Sequence, residues 1–171
     1  REKTGFAIPV REWLMKDQES VSRERGLRAW AMRLNKPSKS RRILVLLTDG
    51  YGGNGGIAKF NRDLLTALAE DPAVSQVIAV PRLMPNSPGN IPGKIEYVTS
   101  ALGGKVSFVR AVLASIRSHG RFDLVICGHI NLIPVAYLAK KFTRAPLLLV
   151  AHGIEAWQPT NSRLANSLVN T

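Results

Sequence analysis

The run Ile43-Leu44-Val45-Leu46-Leu47-Thr48-Asp49 breaks into Gly50-Tyr51-Gly52-Gly53-Asn54-Gly55-Gly56 and passes at once into Ile57-Ala58-Lys59-Phe60. A short continuous apolar run suits a strand covered on both faces. Ile57, Phe60, Leu64, Leu65 and Leu68 then recur at helical spacing, which gives the following helix one apolar side to press onto that sheet. Strand, glycine loop and helix in this order let the backbone approach a ligand closely, and the helix start offers unpaired N–H groups at its positive end. Such a loop suits an anion, most often a phosphate. Gly50, Gly52 and Gly55 fit G-x-G-x-x-G in form, but the loop is too rich in glycine for that spacing to discriminate. No G-x-x-x-x-G-K-[ST] occurs, which argues against a P-loop nucleotidase.

A chain of 171 residues can bury one domain well and has no room for two of ordinary size. No apolar stretch has the length of a membrane-spanning helix and nothing at the start reads as a signal peptide, so a cytoplasmic location is expected. The chain opens on Arg1 and closes on Asn170-Thr171 after a helical stretch, so a fragment is expected. The single cysteine excludes an internal disulfide and fits a reducing compartment. Cys127 lies within Leu124-Val125-Ile126-Cys127, where a buried inert thiol is expected. A Cys127/His129/His152 metal site lacks a fourth ligand at recognisable spacing, and no metal is expected.

The net charge is +12, and residues 1–42 carry 12 Lys/Arg against 5 Asp/Glu, so the basic excess is densest in the first quarter. Residues 12–36 read as a helix with Leu27, Trp30, Ala31 and Leu34 on one side and Arg23, Arg25, Arg28 and Arg33 around it. Two readings stand: attachment to an anionic membrane surface at the inner face or to a phosphate-rich partner, or a Leu/Trp stripe docked on the domain with solvated arginines. Residues 37–42 form a linker, which divides the chain into a basic helical segment, 1–40, and an α/β domain, 41–171.

Beyond the glycine loop, further strands are predicted at Val77–Val80, Ile95–Val98, Leu124–Cys127 and Leu147–Val150, with an exposed Pro/Gly-rich loop from Pro81 to Gly93. A helix carries Val106, Val109, Val112, Leu113 and Ile116 and ends near Gly120; another covers Leu132–Phe142, with Asn131 as its cap. The alternation predicts a Rossmann-like parallel sheet with helices on both faces. Ligands gather outside the carboxyl ends of such strands. That edge collects Asp49 and the glycine loop, with Lys59 and Arg62 in the helix that follows, then Gly128-His129-Ile130-Asn131, and then His152-Gly153-Ile154-Glu155. Asp123 falls at the opposite edge and reads as structural. Of the two histidines, His152 is the stronger candidate because Gly153 leaves its surroundings open, whereas His129 is as well suited to orienting Asn131 or its loop. Glu155 suits either a partner for a histidinium or a hydroxyl, or a solvent-facing loop acid; Lys59 and Arg62 suit an anion or a solvated helix face.

Three segments in order carry a resemblance: Asp49 through Leu65, Phe122 through Leu132, and Val150 through Trp157. Together they resemble the amino-terminal domain of the retaining, nucleotide-sugar-dependent glycosyltransferases called family 4 or group 1, over Arg41 to Trp157. The resemblance implies one half of a two-domain GT-B fold, the acceptor half, facing a donor half. It places Gly55 and Gly56 near the donor diphosphate and His152 near the transferred sugar and the reaction centre. It implies no metal and a front-side mechanism in which the leaving phosphate takes the acceptor proton. It leaves Asp49, Lys59, Arg62, His129, Asn131 and Glu155 as candidate acceptor or sugar contacts. The expected partners are a nucleotide-diphosphate sugar and a glycan or lipid-linked acceptor, with no nucleic acid. The family's donor motif is missing from this sequence, so the chain alone is expected to be inactive.

Two other readings remain. Arg82, just after the second predicted strand, is placed where an NADP-dependent oxidoreductase would hold a 2′-phosphate, although no acidic ribose partner is found. A noncatalytic basic adaptor could use residues 1–36 on membrane or nucleic acid, but no nucleic-acid motif or stacking aromatic cluster supports it.

Overall fold

The computed structural model describes residues 40–153 and residue 167. The basic helix expected over 12–36, and Glu155 within residues 154–166, lie outside the described residues. The chain divides into two units, Arg1–Ser38 and Lys39–Thr171.

Five strands form one parallel sheet: β1 (Arg41–Leu47), β2 (Val74–Pro81), β3 (Ile95–Tyr97), β4 (Leu124–Cys127) and β5 (Leu147–Leu149). Their spatial order is β3-β2-β1-β4-β5, so the chain builds outward from β1 on one side and then resumes on the other. Among the described residues, three helices of known extent cover the sheet, α1 (Gly56–Glu70), α2 (Lys105–His119) and α3 (Ile133–Thr143). This is the Rossmann-like α/β architecture that the alternating pattern predicts.

The period of two along β1 explains the layering. Leu44 and Leu46 point into one core with Phe108 and Val112 of α2 and Ala136 of α3. Ile43, Val45 and Leu47 point into the other, with Leu65 and Ala69 of α1. All five side chains are buried, which is why the strand reads as continuous rather than alternating. Each such aliphatic side chain contributes about 1.5–3 kcal/mol on burial. The connection from β2 to β3 is a loop, residues 82–94, rather than a helix. It folds over the end of β1 through Arg82 N–H to Leu47 O (3.0 Å) and Leu83 N–H to Thr48 O (2.7 Å).

Two local expectations differ from what is observed. The buried stripe of α1 is Ala58, Asn61, Leu65 and Ala69, whereas Phe60, expected inside, is 44% exposed. The small Ala58 and Asn61 let the first turns of α1 lie close under the glycine loop, which rotates Phe60 outward. Asn131 does not cap α3: Ile130–Leu132 form a 3₁₀ turn whose cap is His129, with Nδ1 accepting from Asn131 N–H at 3.1 Å. At the opposite edge, Asp123 Oδ2 accepts from Arg42 N–H at 3.0 Å, so that acid ties β4 to β1 as a structural group.

Candidate functional site

The sequence order reverses between β1 and β4, and the crevice outside their carboxyl ends is where an open parallel sheet receives its ligand. Three segments meet there. The glycine loop follows β1, Gly128 and His129 follow β4, and Val150–Gly153 follow β5.

The first intrahelical bond of α1 runs from Lys59 N–H to Gly55 O at 3.0 Å, so the amides of Gly56, Ile57 and Ala58 precede it. No side chain caps this helix start and no acid lies in its first turn. A 15-residue helix therefore presents uncompensated N–H groups and its positive end at the crevice. Gly55 and Gly56 are exposed, and a Cβ on either would meet nothing within 4 Å. Gly53 is the reverse: a Cβ there would come within 2.7 Å of Asp49 Oδ2 and 2.9 Å of Ala58 Cβ, so the loop closes onto Asp49 only because that position has no side chain.

His152 stands beside this helix start. Its ring meets Phe60 edge-on, with centroids 5.1 Å apart and planes at 78°. Its Nε2 lies 3.0 Å from Gly128 O, and because a carbonyl only accepts, the proton sits on Nε2. In the neutral ring that leaves Nδ1 as the lone-pair nitrogen, able to accept from a hydroxyl.

The other candidates are placed differently from one another. Asp49 lies half-buried under the loop, accepting from Thr48 Oγ1 at 3.3 Å. Lys59 is exposed and its ammonium pairs with Asp63 at 2.7 Å. Arg62 turns inward, and its Nη1 donates to Gly50 O (3.0 Å) and Gly53 O (2.7 Å). His129 is engaged with the turn it caps, and Asn131 is exposed at the same edge. Arg82 spends its backbone N–H on Leu47 and Thr48 carbonyls.

Two residues at this edge escaped the sequence reading. Asn61 is 1% exposed; its Nδ2 donates to Asp49 O at 2.7 Å, while its Oδ1 is buried without a hydrogen-bond partner among the described residues. An orphaned buried acceptor costs about 1–3 kcal/mol, so an apolar residue would suit this position better unless the amide is needed. The available signal was an Asn at the 58/61/65 spacing of the buried stripe. Tyr97 is the second: its hydroxyl donates to Tyr51 O at 3.2 Å and its ring meets Tyr51 edge-on at 5.6 Å. Burial, and next the Asp49 charge, push its pKa well above the ordinary phenol value, so Tyr97 remains a donor.

Burial pushes the Cys127 thiol up from 9.0 to about 12. The folded value lies above the unfolded one, so this group's contribution to stability is complete below about pH 9 and is lost as pH rises from there toward about 12. At pH 8 the folded thiolate fraction is lower than in unfolded chain by about a thousandfold. Iodoacetamide is accordingly expected to leave the native chain unlabelled at pH 8 over a time that fully labels it in urea; equal labelling rates would contradict a buried thiol. Among the described residues no group of three or more His, Cys, Asp or Glu is disposed to hold a metal ion, and no helix is long and apolar enough to cross a membrane. A cavity of about 500 Å³ opens at the opposite edge of the sheet, but its polar lining is engaged, with Arg42 Nε on Gln76 Oε1 (3.1 Å) and Lys94 Nζ on Asp71 O (2.9 Å).

No protein-family model matches the sequence, and no curated protein matches it. Among solved structures, the chain is similar to the crystal structure of Anabaena Alr3699/HepE in complex with UDP and glucose, at 21% identity and a TM-score of 0.45 over 76% of this chain. The chain spans 35% of the length of that protein's chain.

Proposed function

We propose that this chain is the acceptor-binding half of a nucleotide-sugar-dependent retaining glycosyltransferase of the GT-B type, acting in glycan or glycolipid synthesis. The observation that carries the reading is the junction of an uncapped α1 start at Gly55 and Gly56 with His152, joined through the Phe60 ring at the carboxyl edge of the sheet. The order of the three motifs, from Asp49 to Trp157, and their resemblance to that family support the reading.

In this reading the amides of Gly56, Ile57 and Ala58 face the donor diphosphate and stabilise the charge that grows on it as the glycosidic bond breaks. His152 Nδ1 accepts from a hydroxyl of the transferred sugar, its ring fixed by Gly128 O and Phe60. The departing phosphate takes the acceptor proton, so the site needs no carboxylate pair of the kind that glycoside hydrolysis requires. Asp49, His129, Asn131 and Glu155 are the proposed acceptor or sugar contacts. The donor half lies outside this sequence, so the chain alone is expected to be inactive. Residues 12–36 are proposed to hold the enzyme at an anionic cytoplasmic membrane surface, where lipid-linked acceptors are found.

The test is sugar transfer by the full-length protein, assayed with UDP- and GDP-sugars, beside a thermal-shift comparison with NADP. Transfer from either sugar class supports the reading; stabilisation by NADP alone would favour the oxidoreductase. One variant separates ligand contact from folding. Gly56→Ala places a methyl in open space within a helix, so the melting temperature is expected to hold or rise slightly. The same methyl stands where the diphosphate would approach, and a displacement of about 1 Å costs up to a hundredfold in rate, so transfer is expected to fall at least about tenfold. Unchanged transfer would remove Gly56 from the site.

A further inference from the structure

Five successive carbonyls of the glycine loop, Asp49 to Gly53, accept hydrogen bonds from donors outside it. Asn61 Nδ2 takes Asp49 O at 2.7 Å, and Arg62 Nη1 takes Gly50 O at 3.0 Å and Gly53 O at 2.7 Å. Tyr97 Oη takes Tyr51 O at 3.2 Å, and Asn86 takes Gly52 O through its N–H (3.0 Å) and Nδ2 (3.1 Å). All described peptide bonds are trans. In a trans peptide the next N–H points opposite to the carbonyl. A guanidinium drawing the Gly50 and Gly53 carbonyls toward itself therefore turns the Tyr51 and Asn54 amides away from it.

Asn61 adds a second connection. A Cβ on Gly128 would lie 3.4 Å from Asn61 Oδ1, so the buried amide packs between the glycine loop and the turn after β4. The carbonyl of that same Gly128 holds His152 Nε2. The chain of contacts Asp49, Asn61, Gly128, His152 thus runs from the loop to the candidate catalytic ring through one helix residue.

We propose that Asn61 and Arg62 are positioning residues of this site: Arg62, by spanning the Gly50 and Gly53 carbonyls, sets the direction of the loop amides, and Asn61 sets the spacing between that loop and His152. The effect on transfer rests on the glycosyltransferase reading; the effect on loop order does not. Both residues act from beneath the loop and through it.

Backbone ¹⁵N order parameters of this chain test the proposal directly. In wild type, residues 50–54 are expected near the rigid value of about 0.85, and in Arg62→Met below about 0.6, with β1 and β4 unchanged. A folded Arg62→Met with an unaltered loop would overturn the role of Arg62. If Arg62→Met does not fold, Arg62→Gln decides: its side chain keeps a polar end but is too short to take the place of Nη1 on both carbonyls, so loosening at Gly50 or Gly53 supports the proposal and an unaltered loop overturns it. Asn61→Leu, the same in branching though larger in volume, removes the orphaned oxygen together with the donor. It is expected to hold the melting temperature while loosening Gly50 and broadening the His152 ring resonances; intact His152 resonances would overturn its part.

In the full-length enzyme, Arg62→Met is expected to lower kcat at least about tenfold with acceptor KM changed less than about twofold, and Arg62→Lys to recover part of the loss. Unchanged kcat beside a loosened loop would overturn the catalytic consequence. Should the wild type transfer no sugar, the transferase reading fails, while the order parameters still decide whether these two residues hold the loop.

Discussion

On the transferase reading proposed above, replacing His152 by alanine is expected to lower kcat for sugar transfer by the full-length protein at least about a hundredfold, the scale of losing one preorganised transition-state hydrogen bond. The size follows from how the ring is held. Nε2 is committed to Gly128 O at 3.0 Å and one edge of the ring to Phe60, so Nδ1 is presented in a single orientation with little left to organise during the reaction. The cost to folding is much smaller. His152 is only partly buried, and the variant gives up one hydrogen bond and one ring contact, each about 1 kcal/mol. Steady-state transfer measured beside thermal melting checks both halves. A variant within twofold of wild-type kcat would show that the ring does not touch the reacting sugar. A variant that loses activity only in proportion to lost folded protein would show that it acts on stability.

Gly52→Ala is expected to produce the largest loss of stability among the loop substitutions, on the order of 3 kcal/mol. Gly52 has φ +81°, a conformation that costs a residue with a Cβ about 1–2 kcal/mol. The added methyl would also land on the Asn86 carbonyl oxygen and within 2.8 Å of Met84 Cγ. Relief requires residues 84–86 to withdraw, which breaks the Asn86 N–H and Nδ2 bonds to Gly52 O, each contributing about 0.5–1.5 kcal/mol. A fall in melting temperature of about 10 °C corresponds to this loss in a domain of this size. Thermal melting of Gly52→Ala beside Gly56→Ala is the check, because both add the same methyl to the same loop. Equal melting temperatures for the two would mean that the loop from 82 to 94 does not brace the glycine loop as observed.

Gly52→Ala and Gly56→Ala probe opposite uses of one short segment. At Gly52 and Gly53 the backbone is pressed against Asn86, Asp49 and Ala58, so a side chain is excluded by protein. Gly55 has φ +92°, which itself favours glycine, but at Gly56 a side chain would meet open space in an ordinary backbone conformation, so the protein gives no reason for its bareness. A ligand approaching the α1 start would give one.

The path of the chain from β1 through the glycine loop into α1 is determined by sequence alone. A strand covered on both faces must be apolar at every position, as Ile43 to Leu47 are, and consecutive glycines cannot sustain either regular structure. The carboxyl-edge rule likewise brings Asp49, His129 and His152 together, because in a parallel sheet every strand ends on the same side. Tertiary structure decided the rest. Phe60 leaves its expected inward place to Ala58 and Asn61 because helical periodicity leaves the rotation of a helix about its axis open, and the close approach of the loop selects the small residues to face inward. His129 rather than Asn131 caps the turn after β4, since a cap depends on backbone angles that neighbouring packing sets. Arg62, Tyr97 and Asn86 converge on the loop carbonyls from helix, strand and loop positions that are far apart in the chain. Local propensity carries no information about such meetings, because Asn86 and Tyr97 come within reach only after β1, β2 and β3 have paired in register.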